Sequence, residues 1–310
     1  MNNTFLDSEK FYIDKVAPMI KEYFPDYENR IAVGLVGEGS DCFGYDDFMS
    51  RDHDFGTGVC LWLDDEDYYK IGKQLSDKYD DIAYGQGYRG LSSRLRERRG
   101  AMSIHDFYSN ILYIDCDTDN INMPLNKWRV LDHTCLATAT NGIVFRDDLG
   151  KFSAFRKLLL DYYPEQVWKE RLVDEIHKFS MSLQVNYARC MSRKDYVTAK
   201  TCKQKGIEAA MEIYFLLRRV YPPYYKWTYK ALKQLDNEGT FSNLINDISD
   251  RDINKNAWFK EYNPNIINVE DEVILLAEQI ASYLLIMMKD NKLVNGQDLF
   301  LERYINQIME

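Results

Sequence analysis

The stretch Ile31 to Leu63, IAVGLVGEGSDCFGYDDFMSRDHDFGTGVCLWL, leaves little freedom in what the chain around it can build. Ile31 to Val36 is an apolar run of strand length broken by Gly37 and Gly39, and Val59 to Leu63 is a second such run. Between them a polar loop ends in Ser50-Arg51-Asp52-His53-Asp54. Side chains alternate between faces in an extended chain, so Asp52 and Asp54 share one face, their Cβ atoms roughly 6 to 7 Å apart, while His53 takes the other. Carboxylates that close repel each other unless a cation lies between them.

The remainder of the first half mixes short apolar runs with helical spacing. Residues 8 to 24 carry Tyr12, Val16, Met19, Ile20 and Tyr23 on one face, with Ser8 as N-cap and Pro18 as a kink. Asp64 and Asp65 cap a helix bearing Tyr68, Ile71 and Leu75. A short strand is predicted near Ile82 to Tyr84, followed by a segment holding Arg89, Arg94, Arg96, Arg98 and Arg99. A third core strand, Ala101 to His105, runs into a helix from Asp106 to Tyr113. One helix starting at Pro124 carries Leu125, Trp128, Leu131 and Cys135 and ends at Thr140-Asn141-Gly142. A strand at Ile143 to Phe145 and a turn at Asp147-Asp148-Leu149-Gly150 follow.

After residue 150 the strand pattern stops and helical stripes take over: Phe152 to Tyr162, Val167 to Tyr187, Ile207 to Tyr221 before Pro222-Pro223, Val273 to Met287, and Leu301 to Ile308. The expected fold class is α+β, with a small mixed sheet and flanking helices over residues 1–150 and an all-α bundle over 151–310. A chain of 310 residues, 45% hydrophobic, has enough apolar side chains for two cores.

The formal net charge of −10 argues against a surface built to track a phosphate backbone, and a cationic small molecule or another protein suits it better. The longest uninterrupted apolar run, Tyr283 to Met288, is far short of a bilayer span and no apolar segment follows Met1, which points to the cytoplasm. Six cysteines at irregular spacings, with no Cys-x-x-Cys, read as reduced core thiols rather than a disulfide framework or a zinc site.

Gly37-x-Gly39 after a strand lacks the third glycine of a dinucleotide fingerprint, since Cys42 stands there, and no Walker-type Gly-Lys-Ser or Gly-Lys-Thr occurs. A different phosphate-handling arrangement fits. Gly39 permits a tight turn that presents consecutive amide N–H groups, and Ser40 adds a hydroxyl donor. Asp52 and Asp54 supply the hard oxygen ligands that Mg²⁺ prefers.

Gly39-Ser40-x-x-x-Gly44 followed by Ser50-x-Asp52-x-Asp54 at the start of an apolar strand resembles the signature of the polymerase-beta-like nucleotidyltransferase superfamily. In layout the chain is similar to the aminoglycoside and lincosamide nucleotidyltransferases. The wider phrasing GEGSDCFG, SRDHDFG, ATNGIVFRDDLGKF and YYKW is similar to a poorly characterised bacterial family of predicted nucleotidyltransferases. The resemblance implies transfer of NMP, AMP from ATP being favoured, to an acceptor hydroxyl, with release of pyrophosphate. It implies two Mg²⁺ ions on Asp52 and Asp54, and nucleotide contacts from Gly39, Ser40, Arg51 and, across a cleft between domains, Lys226. A small-molecule acceptor is favoured over tRNA or a protein.

Superfamily members usually add a third acid on a later core strand. Here that strand offers only His105 and Asp106 at its end as candidate base or ligand, and His105 reads equally well as a structural histidine. A catalytically silent nucleotide-binding or partner-binding module, in the manner of an antitoxin-like regulator, is the alternative. The arginines from 89 to 99 form a solvated loop or a cationic rim; Tyr224-Tyr225-Lys226-Trp227 is a helix start with buried rings or a nucleotide contact. Gln184, Asn186, Tyr187 and Arg189 line an acceptor pocket or bond between helices. Arg171 and His177 match a helical ribonuclease spacing only weakly.

Overall fold

The computed structural model describes residues 3–47, 57–84, 98–259, 262–263 and 266–310. The chain divides into two compact units, Met1–Tyr162 and Tyr163–Glu310. The fold is α+β, with all described strands in the first unit.

Four strands, β1 (Ala32–Leu35), β2 (Cys60–Leu63), β3 (Gly100–Ser103) and β4 (Ile143–Arg146), form one mixed sheet in the order β3-β2-β1-β4. β1 runs antiparallel to β2, with Ala32 opposite Trp62 and Gly34 opposite Cys60. β3 is parallel to β2, with Cys60 opposite Gly100 and Leu63 opposite Ser103. β4 runs antiparallel to β1. β1 and β2 are buried throughout, which is why both read as unbroken apolar runs instead of alternating ones. One face of the sheet packs Val33, Leu61 and Leu63 against Val16, Ile20, Leu75 and Tyr79. On the other, Trp62 stacks on Phe152 with ring centroids 3.8 Å apart and meets the edge of Phe107.

Local chemistry explains where the elements depart from the sequence reading. The first helix begins before Ser8: α1 (Asn3–Phe11) passes through a π turn at Tyr12–Val16 into α2 (Ala17–Tyr23). Pro18 has no N–H to give, and the Ala17 N–H reaches back to the Tyr12 carbonyl, the wider ring of a π turn. α3 (Asp65–Tyr84) continues through Ile82 to Tyr84, so no strand forms there. The third strand ends two residues early because Ser103 caps α4 (Ile104–Leu112), accepting the Asp106 N–H at 2.9 Å. The helix expected from Pro124 is two, α5 (Leu125–Val130) and α6 (His133–Thr140), because Asp132 caps the second by accepting the Thr134 N–H. α7 (Lys151–Leu160) belongs to the first unit, since Phe152 and Phe155 pack on Tyr108.

Among its described residues the second unit is helical. α8 (Glu165–Phe179), a π segment (Ser180–Asn186) and α9 (Tyr187–Ser192) follow one another, then α10 (Tyr196–Arg218), α11 (Tyr225–Leu235), α12 (Thr240–Asp250), α13 (Glu272–Asp290) and α14 (Ile305–Met309). α12 was not expected, although Phe241, Ile245 and Ile248 give it a buried stripe. Among the described residues no helix is long and apolar enough to cross a membrane.

Candidate functional site

The turn that leaves β1 is tightly constrained. Gly37 and Gly39 have φ of 116° and 118°, a region closed to most side chains. A Cβ on Gly39 would also lie 2.2 Å from Asp41 Oδ1. Two groups distant in sequence hold the turn. The Asn141 amide accepts the Gly37 N–H and donates to the Gly37 carbonyl, both at 2.8 Å. Arg156 in turn donates to the carbonyls of Thr140 and Asn141 at 2.6 and 2.9 Å.

On the other flank Arg99, 5% exposed, donates to Asp41 Oδ2 at 2.9 Å, and Arg98 pairs with Glu38 at 2.7 Å. Burial works against the Arg99 charge, but Cys42, Asp41 and Cys60 outweigh it and hold its pKa well above the ordinary value. Burial also pushes both thiols up, and the ion-pair partner of Arg99 is Asp41. Arg98 and Arg99 are therefore internal ties, neither a solvated loop nor an open rim. Arg89, Arg94 and Arg96 lie outside the described residues.

The Ser40 carbonyl accepts the N–H groups of Phe43 and Tyr45, at 3.3 and 2.8 Å, closing the loop. Among the described residues, nothing accepts from the N–H groups of Glu38, Gly39 or Ser40, or bonds the Ser40 hydroxyl. Three consecutive uncommitted amides in a glycine turn are the type of backbone donor that a phosphate group can accept from. Asp41 beside them would repel such a ligand, and Arg99 cancels that charge.

The sheet register places other groups at the same end. Because β1 and β2 are antiparallel and β2 and β3 parallel, the Gly37–Ser40 turn, the entry to β2 at Val59 and the Arg98-Arg99 pair share one sheet end. Asp52 and Asp54, the expected metal ligands, and Arg51 and His53 precede that entry in sequence and lie outside the described residues. Among the described residues no three His, Cys, Asp or Glu side chains gather as a metal site.

His105 and Asp106 are at the opposite end, after β3 instead of before it. The strand alone separates the two ends by roughly 10 Å or more. The structure thus does not bring them together with Gly39 and Ser40, and Asp52 and Asp54, with which a third catalytic group would act, lie outside the described residues. His105 sits between Asp115 at 3.0 Å and Asp106 at 3.4 Å. The hydrogen bond that His105 donates to Asp115 raises its pKa by favouring the imidazolium form. Nearby, Asp64 caps α3 and bonds Lys151 at 2.7 Å, so this acid serves the fold.

In the second unit, Lys226 stands exposed on α11 with its ammonium 5.1 Å from the centre of the Trp227 ring. Tyr224 and Tyr225 are exposed as well, against the expectation of buried rings. Gln184 and Tyr187 bond between segments of this unit. Gln184 donates to the Leu299 carbonyl at 2.6 Å, and the Tyr187 hydroxyl lies 3.2 Å from Asp271. His177 pairs with Glu302 at 2.9 Å, and Arg171 stacks over Tyr163. Of the groups that hold the turn, Arg156 is absent from the sequence reading, Arg99 enters it only within the arginine cluster, and Asn141 only as part of a helix stop. Asn141-Gly142 looks like an ordinary helix stop, and the partners of all three are brought near only by the fold.

Residues 128–228 match a family described as a domain of unknown function (DUF4037). The matched third of the chain includes Asn141, Arg156 and Lys226 and leaves out the glycine turn, Arg99 and His105. No curated protein and no solved structure matched the chain.

Proposed function

We propose that the chain is a Mg²⁺-dependent nucleotidyltransferase that transfers AMP from ATP to an acceptor hydroxyl, a small molecule before tRNA or a protein. The observation that supports it is the uncommitted Gly39 and Ser40 donors at the sheet end where β2 begins, the strand that Asp52 and Asp54 lead into. The amides of Gly39 and Ser40 and the Ser40 hydroxyl would hold the β and γ phosphates and orient the chain for in-line attack. The acceptor oxygen bonds to the α phosphorus, the bridging oxygen between α and β leaves with pyrophosphate, and the hydroxyl proton passes to a base. Mg²⁺ held by Asp52 and Asp54 would neutralise phosphate charge and acidify the acceptor hydroxyl.

A second reading has its own support. β3 reads Gly-Ala-Met-Ser and carries no carboxylate, and the residues before it are Arg98 and Arg99. A module that binds nucleotide without turning it over needs no third acid. Pyrophosphate release with Mg²⁺ and each labelled NTP separates the two. The enzyme is expected to release pyrophosphate and to lose this activity in Asp52→Ala/Asp54→Ala. Binding without release favours the silent module, and no binding of any NTP sinks both.

A further inference from the structure

α11 presents an arrangement that the phosphate turn does not use. Its inward side is Thr228, Ala231 and Leu232, all buried. The outward side carries Lys226, Lys230 and Lys233 at the i, i+4, i+7 positions of one stripe, about 10 Å long. Aromatic rings lie between and before them. Lys226 and Lys230 flank the Trp227 ring at 5.1 and 4.9 Å, and Lys233 lies 5.0 Å over Tyr229. Tyr224 and Tyr225 stand with ring centres 4.3 Å apart and are 53% and 76% exposed.

Two features set this face apart from an ordinary solvated helix. Among the described residues, neither Lys226 nor Lys233 has a carboxylate partner, whereas lysines such as Lys70, Lys151 and Lys157 do. Second, two adjacent tyrosine rings leave most of their apolar surface in water, where a flat partner could cover them. Asp236, Asp247 and Asp250 lie toward Tyr229, and Tyr225 borders a pocket lined by Lys178 and Lys205 as well as Glu175, Glu208 and Glu212. The net charge of −10 conceals this local patch because it sums over the whole chain.

We propose that the Tyr224 to Lys233 face of α11 is a docking surface for single-stranded nucleic acid. Bases stack on Tyr224 and Tyr225, and Lys226 and Lys230 meet the phosphates. Stacking on exposed rings with flanking cations is how sequence-tolerant strand binding is achieved, since every base has a π face and every linkage a charge. The inference rests on the second unit alone and holds whether or not the glycine turn carries nucleotidyl transfer.

The test is fluorescence anisotropy of a labelled oligouridine of about 12 nucleotides with the full-length protein, in EDTA and without NTP, over a salt series. Saturable binding is expected. Tyr225→Ala should weaken it by about tenfold, and Tyr225→Phe, which keeps the ring, should restore it. Lys226→Gln/Lys230→Gln should lower the slope of log affinity against log salt by about 1.4, or about 0.7 for each phosphate left without its lysine. None of the substituted side chains is buried, and circular dichroism checks that each variant is folded. The proposal is overturned by absence of binding at low salt. It is equally overturned if inorganic polyphosphate or an acidic peptide competes as well as RNA while Tyr225→Ala binds normally, which would mark a site for charge alone. Pyrophosphate release is not read, so neither outcome bears on the catalytic proposal.

Discussion

Arg99 shows how much one buried side chain can decide. It is the counter-charge for Asp41, so its loss leaves a half-buried carboxylate beside three free amides. Arg99→Met is expected to cost about 3 to 5 kcal/mol in urea unfolding and to weaken NTP binding, because a charge left buried without its partner is strongly destabilising. Ser40 makes the opposite prediction. Its hydroxyl bonds no described residue, so Ser40→Ala should leave the melting temperature nearly unchanged while lowering NTP affinity in titration calorimetry. For His105 the sign follows from its neighbours. Folding raises its pKa above the ordinary 6.5, so its bond to Asp115 stabilises below that value and is lost as pH rises through the higher folded-state pKa. Urea unfolding of wild type and His105→Gln should differ most in mild acid and converge in base. Turnover in His105→Gln should stay within about twofold of wild type, far from the roughly 10²-fold or greater loss that follows removal of a general base.

At the scale of elements, the turn is held because β4 is pressed against β1. Gly142, with φ of 67°, precedes β4, and a Cβ there would lie 1.9 Å from the Leu35 carbonyl oxygen. Gly142→Ala should therefore push β4 off β1 and destabilise by about 2 kcal/mol or more, with the Asn141 clasp on Gly37 loosened along with it. Loss of amide-exchange protection at Gly37 reports the clasp directly. In the second unit Asp271 has the same organising position. It caps α13 through the Val273 N–H at 2.9 Å and accepts from the Trp258 indole at 2.6 Å, tying three segments together when Tyr187 is counted. Asp271→Ala leaves those donors without a partner, and a loss of about 3 kcal/mol is expected in thermal unfolding. Element identity was largely legible in advance, because apolar spacing records which faces are buried. Boundaries were less so, since Ser103 and Asp132 end or start helices through single side-chain bonds that compete with the periodic pattern.

Across the whole molecule, each unit carries its own buried core, and the break at Tyr162 falls after α7 because Phe152 belongs to the sheet's aromatic layer. The sequence by itself determined the α+β class, the two central strands and the glycine turn between them, because burial on both faces and positive φ demand particular residue types wherever they occur. It also showed which residue types could bind phosphate and metal. Tertiary structure alone decided which of them share a sheet end. The parallel pairing of β3 with β2 carries His105 and Asp106 away from the turn and puts Arg98 and Arg99 beside it. That pairing joins residues about forty positions apart, and no local pattern encodes strand direction. The free amides of Gly39 and Ser40 are likewise a tertiary result, left open because Asn141, Arg156 and Arg99 fix the turn from elsewhere in the chain.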